Sequence, residues 1–149
     1  MERHIQTIFC DDIRHELGGK VSYIGVYSGR LFLPTFPLAL PKLCLAMNII
    51  TPASRPFKRL KLSVLKGADI LFENDLDYAR LSGAMEFLSD SDLSIIDQLF
   101  SLHSVIIFSP FTLESPCTIR ILAETEDGEL RGAGLNIEQA PSIDMGILQ

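Results

Sequence analysis

The stretch Phe57-Lys-Arg-Leu-Lys-Leu-Ser-Val-Leu-Lys66 decides the fold class. Leu60, Leu62 and Val64 fall on one side of an extended chain, and Arg59, Lys61 and Ser63 on the other. A period of two marks a half-buried strand, because successive strand side chains point to opposite faces. Gly67-Ala-Asp69 then turns the chain into Ile70-Leu-Phe72, which predicts a hairpin.

The same reading extends outward. Upstream, Leu43-Cys-Leu-Ala-Met-Asn-Ile-Ile-Thr51 sits between Pro41 and Pro52, a length that suits a strand with Leu43, Leu45, Met47 and Ile49 on one face. Pro34, Pro37 and Pro41 lie too close together for a helix or a central strand, so this segment is expected at an edge or crossover, after a short strand Leu31-Phe-Leu33. His4 to Cys10 is a first strand, Asp11 to Gly19 a polar connection, and Val21 to Tyr27 a second strand. Gly25 marks a bulge or a close backbone approach within it.

Downstream, Leu99 to Phe108 is strongly β-prone and ends before Pro110. The segment Cys117 to Ile137 reads as a hairpin. A three-residue loop Glu126-Asp-Gly128, with Gly128 left-handed, pairs Ile119 with Leu135 and Ile121 with Ala133 and keeps the apolar residues together. Between the two halves, Leu76, Ala79, Met85 and Leu88 fit a helical period. One short helix is expected around residues 76–88, capped by Asp75 or Asp77. Several short strands, one brief helix and no βαβ alternation predict a two-layer antiparallel β-sandwich over residues 1–138, with a tail at 139–149.

Composition narrows the function. The chain has 149 residues, 47% of them hydrophobic and 21% charged, with 13 basic and 19 acidic side chains and a net charge of -6. That is too apolar for disorder, and the acidic balance argues against nucleic acid as a partner. Cys10, Cys44 and Cys117 are an odd number without close spacing, which suits reduced thiols in a cytoplasmic protein better than a disulfide framework. There is no apolar run of 18 residues and no basic-then-apolar leader, so neither a membrane nor a secretory role is expected.

With these stretches in place, the chain resembles an uncharacterised family of short bacterial and phage-borne proteins. The resemblance lies in Cys10-Asp-Asp-Ile-Arg14 with Gly19 through Gly25, Phe36-Pro-Leu-Ala-Leu-Pro-Lys-Leu43, His103-Ser-Val-Ile-Ile-Phe-Ser-Pro110 and Thr125-Glu-Asp-Gly-Glu129. These are turns, strand cores and prolines. The resemblance implies an immunoglobulin-like sandwich and carries over no active site.

Four sets of side chains are candidates for function. Cys10, Asp12 and His15 combine thiolate, carboxylate and imidazole, all ligands of zinc or iron, with His4 or His103 as a further ligand. Against this, Cys10 fits a packed strand end and the aspartates fit a turn. Cys10 or Cys117 with His103 makes a formal nucleophile pair, but no helix start or oxyanion loop accompanies either cysteine. Arg59 and Lys61, in the basic concentration from Arg55 to Lys66, could hold an anionic partner or simply form a solvated face that guards a strand edge. Tyr23, Tyr27 and Phe111 add apolar surface to strands whose other faces are already apolar, so either the helix near residues 76–88 covers one sheet or these residues mark an interface with a second subunit.

No nucleophile elbow, phosphate loop, dinucleotide fingerprint or zinc-protease motif occurs, and no cofactor is expected. Two readings follow. One is a non-enzymatic sandwich that binds another protein, or itself as a homodimer. The other is a metal-binding module or metal-dependent enzyme centred on Cys10, Asp12 and His15.

Overall fold

The computed structural model describes residues 2–77, 80–81 and 99–141. The protein is mainly β. Its strands are β1 (His4–His15), β2 (Val21–Val26), β3 (Arg30–Leu33), β4 (Leu38–Leu40), β5 (Leu43–Pro52), β6 (Leu60–Lys66), β7 (Asp69–Leu76), β8 (Leu99–Phe108), β9 (Phe111–Leu113), β10 (Cys117–Thr125) and β11 (Gly128–Gln139). One sheet has the order β2-β1-β5-β8, a second β3-β11-β10-β6-β7, and β4 pairs with β9 in a small third. The arrangement is consistent with a β-sandwich. One ladder departs from the antiparallel expectation: β3 runs parallel to β11, from Asn136↔Arg30 to Gln139↔Leu33.

The chain divides into two compact units. One comprises Met1–Thr7, Met47–Ser104 and Arg120–Ala133, the other Ile8–Ala46, Val105–Ile119 and Gly134–Gln149. The first has Phe57, Leu60, Leu62, Val64, Met47, Ile49 and Ile121 in its core, and the second has Phe9, Leu43, Leu45, Leu113, Ile119, Leu135 and Ile137. In β6 the expected alternation is present, with Leu60, Leu62 and Val64 buried. It pairs with β7 through Lys61↔Asp75 and Val64↔Phe72, with a bulge between Val64 and Leu65. In β5 both faces are buried, Cys44 and Ala46 as well as Leu43, Leu45 and Met47, as befits an interior strand of its sheet.

Three expectations need correction. Asp11 to His15 is strand and not connection, because β1 stays paired with β2 from Cys10↔Val26 to His15↔Val21. Inter-strand pairing overrides the turn preference of the two aspartates, whose side chains find partners without breaking the ladder. At the other end, β11 continues to Gln139, and the Ala140 amide donates to the Leu33 carbonyl at 2.8 Å, so the chain is tied down beyond residue 138.

The helix expectation is the third. Leu76 is the last residue of β7, not the first of a helix. The Asp77 carboxylate accepts from the Arg80 amide at 2.9 Å and the Asp77 carbonyl from the Leu81 amide at 3.0 Å, the pattern of a helix N-cap. Among the described residues no helix extends past this turn, and 78–79 and 82–88 lie outside them.

The closing hairpin keeps part of its expected register. Gly128 has φ +121°, in the left-handed region, and Thr118 Oγ1 donates to Asn136 Oδ1 at 2.5 Å, in line with Ile119 beside Leu135. Ala133, however, is exposed, while Leu130 and Gly132 are half-buried and Leu135 and Ile137 fully buried. The inward set thus switches parity between Gly132 and Leu135. It is Gly132 that meets Ile121: a Cβ on Gly132 would lie 3.2 Å from Ile121 Cβ and 2.8 Å from Thr7 Cγ2. A side chain there has no room. Gly132→Ala is therefore expected to lower stability by about 1–3 kcal/mol through overpacking, measured by urea unfolding, whereas Ala133→Ser next to it should leave stability unchanged.

Candidate functional site

Two polar clusters stand out, one in each unit. In the first, Arg3 lies just ahead of β1 with its side chain 3% exposed. Its guanidinium has five acceptors within 3.2 Å. Nε donates to Thr51 Oγ1 at 3.0 Å, and Nη1 to Asp127 Oδ2 at 3.2 Å. Nη2 reaches the carbonyls of Arg55 and Pro56, both at 3.0 Å, and Glu126 Oε1 at 2.5 Å. The plane lies 4.5 Å over the Phe57 ring, an added cation–π contact. Thr51 Oγ1 in turn donates to the Arg55 carbonyl at 2.7 Å.

Burial on its own would push the Glu126 carboxyl up. Hydrogen bonds from Arg3 and from the Arg59 and Lys58 amides outweigh it, and the carboxyl sits below its usual range. Above this group lies an open cleft of about 300 Å³ lined by Glu2, Arg3, Arg55, Thr125, Asp127 and Glu129. Its floor is already saturated: among the described residues, no buried side-chain nitrogen or oxygen lacks a partner. The cluster is a structural clasp.

The second cluster surrounds the strand end expected to bind metal. Asp11 accepts a hydrogen bond from the Tyr27 hydroxyl. Burial, followed by the Asp11 carboxylate, pushes the Tyr27 phenol well above its usual value. Opposite Asp11 the chain needs Gly25, with φ +68°, since a Cβ there would fall 2.8 Å from Asp11 Cγ. This is the close approach expected at that glycine. Asp12 pairs with Lys42 at 3.0 Å, which holds its carboxyl below the usual range. Cys10 and Cys44 are fully buried. Cys10 Sγ donates to the Asp12 carbonyl at 3.4 Å and Cys44 Sγ to the Asp11 carbonyl at 3.8 Å.

Each residue singled out from the sequence now has a place. Cys10, Asp12 and His15 do not come together: Cys10 is buried, Asp12 is turned to Lys42, and His15 ends β1 in the exposed pair with Val21. Among the described residues no three of His, Cys, Asp and Glu form a metal-binding group. His103 has its Nδ1 2.8 Å from Asn48 Oδ1, and His4 Nδ1 lies 3.3 Å from the Glu2 carbonyl. Arg59 pairs with Glu124 at 3.7 Å and Lys61 with Glu73 at 2.7 Å, so the basic strand face is matched by carboxylates on the strands to either side. Tyr23 and Tyr27 are half-buried. Phe111, expected at an interface, is 3% exposed and stacks at 5.2 Å on Phe108, so it belongs to the core.

Two features escape a reading of the sequence. Arg3 carries no local signal, because its partners lie 48 to 124 residues away. Cys10 and Cys44 likewise meet only through strand pairing. Compared with family models, with curated proteins and with solved structures, the chain matches none. Among the described residues no helix is long and apolar enough to cross a membrane.

Arg3→Met removes the guanidinium from two carboxylates, two carbonyls and the Thr51 hydroxyl, and is expected to cost about 3–5 kcal/mol in urea unfolding. Glu126 supplies a pH signature. Its folded pKa is depressed, so its contribution is complete above the unfolded carboxyl pKa of about 4.3 and is lost as pH falls through the lower folded value. The stability gap between wild type and Glu126→Gln should accordingly be largest at neutral pH and shrink below about pH 4.

Proposed function

We propose that this is a non-enzymatic β protein that binds another protein through the open edges of its sheets. One observation carries the reading. Every strand residue that is both large, apolar and exposed lies, among the described residues, on an edge strand. These are Val21, Ile24 and Val26 on β2, Phe32 on β3, Ile70 on β7, and Leu99 and Ile107 on β8. An edge strand presents unpaired amides and carbonyls, and proteins usually guard it with charge, proline or a covering segment. β7 follows that rule with Asp69, Glu73 and Asp75. β2 and β8, the two edges of one sheet, contain no Asp, Glu, Lys, Arg or Pro at all.

Strand addition suits such an edge, with main-chain hydrogen bonds giving affinity and the outward apolar side chains giving selectivity. The occupant is an extended segment of a partner protein or of a second copy of this chain. Tyr23 and Tyr27, on and just after β2, flank that edge. On this reading the chain is an immunoglobulin-like domain of bacterial or phage origin that works in the cytoplasm, a reducing compartment that suits three cysteines of which none forms a disulfide in this structure.

The test places charge on the edges and leaves the cores alone. Wild type is expected to form a dimer in light scattering at micromolar concentration, or to retain a protein in pull-downs. Ile24→Lys with Val26→Lys, or Ile107→Lys, should abolish that binding while the unfolding midpoint stays within a few degrees. A strict monomer that retains nothing, or binding indifferent to all three lysines, would overturn the reading.

A further inference from the structure

The two buried cysteines meet across a strand pair. β1 and β5 are neighbours in their sheet. Lys42, just ahead of β5, reaches Asp12 on β1 at 3.0 Å, and Arg3, just ahead of β1, donates to Thr51 on β5 at 3.0 Å. From the first contact to the second the index rises by nine on the β5 side and falls by nine on the β1 side. The strands are therefore antiparallel there, with Cys10 directly opposite Cys44. Directly opposed residues of an antiparallel pair have Cα atoms about 4.5–5.5 Å apart, inside the range of about 4.4–6.8 Å that a disulfide spans. The two sulfurs also bond to consecutive carbonyls, those of Asp12 and Asp11, so they share one small compartment.

We propose that Cys10 and Cys44 form a reversible cross-strand disulfide, a thiol–disulfide site that covalently joins β1 to β5 when the protein meets a small-molecule disulfide oxidant. The chemistry is exchange. One cysteine loses its proton and attacks a sulfur of the oxidant, forming a mixed disulfide and releasing one small thiol. The second cysteine, also deprotonated, displaces the remaining small thiolate. Two protein thiols and one small disulfide thus give one protein disulfide and two small thiols.

Access controls the rate. Both cysteines are fully buried in the closed fold, and burial pushes both thiols above their usual pKa, which keeps them protonated and slow at neutral pH. Cys10 is paired with Val26 on β2, which among the described residues has no strand on its other side. Local opening of β2 from β1 is the shortest route for an oxidant, since an edge strand has one ladder to break. Oxidation should therefore quicken with rising pH.

The experiment uses the full chain carrying Cys117→Ser, so that the third thiol takes no part, incubated with oxidised glutathione without denaturant. Intact mass and a non-reducing peptide map give the readout. The expected result is joint loss of both thiols, a mass lower by two hydrogens and no retained glutathione. A linked peptide pair containing Cys10 and Cys44, released by dithiothreitol, should accompany it. Cys10→Ser or Cys44→Ser in the same background should instead accumulate a persistent glutathione adduct on the remaining cysteine. Wild-type protein mapped in parallel gives the same link independently of any variant. Two thiols still free after incubation at pH 9, or two separate glutathione adducts on one chain, would overturn the proposal.

Discussion

One buried guanidinium organises the first unit. Arg3 stands ahead of β1 and ties together three places remote in sequence: Thr51 at the end of β5, the carbonyls of Arg55 and Pro56 leading to β6, and Glu126 and Asp127 at the tip of the β10–β11 hairpin. Burying a charge is costly unless nearly every donor is met, and here all the acceptors are supplied, two of them ionised. Glu126 passes the connection on by accepting from the Lys58 and Arg59 amides at 3.1 and 3.2 Å. Those amides have no ladder partner ahead of β6, which begins at Leu60. Phe57, 2% exposed beneath the guanidinium, fixes the hydrophobic side of the same junction.

The same economy runs through the other polar residues. Asp11 serves Tyr27, Asp12 serves Lys42, Arg59 serves Glu124 and Lys61 serves Glu73. Exposed pairs of this kind add little stability each. Among the described residues, the large apolar side chains that strands leave exposed lie on edge strands. The edge strands β2 and β8 present valine, isoleucine and leucine to solvent, and the functional reading rests there.

How much of this was legible depended on the distance over which the cause acts. Alternation along Leu60, Leu62 and Val64 is a local property, and it gave β6 and its hairpin correctly. The proline brackets at 41 and 52 likewise bounded β5, and the left-handed need at Gly128 was readable from Asp127-Gly128. Residues Asp11 to His15 misled, because turn propensity was weighed without the partner strand that holds them extended. The parallel pairing of β3 with β11 was hidden for a similar reason: nothing within Arg30 to Leu33 names a strand a hundred residues on. Cys10, Asp12 and His15 are not gathered into one group, since on a strand Cys10 and Asp12 share one face and His15 falls on the other. The Arg3 clasp and the Cys10–Cys44 pair lay hidden because both are made by pairing across long chain separations.

Arg3 and Glu126 act as one structural unit. A double-mutant cycle measures this directly, using Arg3→Met, Glu126→Gln and the two combined, each unfolded in urea at neutral pH. Removal of either partner should forfeit most of their shared stabilisation, so that the double variant loses less than the sum of the singles by about 1 kcal/mol or more. Additivity within about 0.5 kcal/mol would show that the two side chains act independently, and would contradict the clasp.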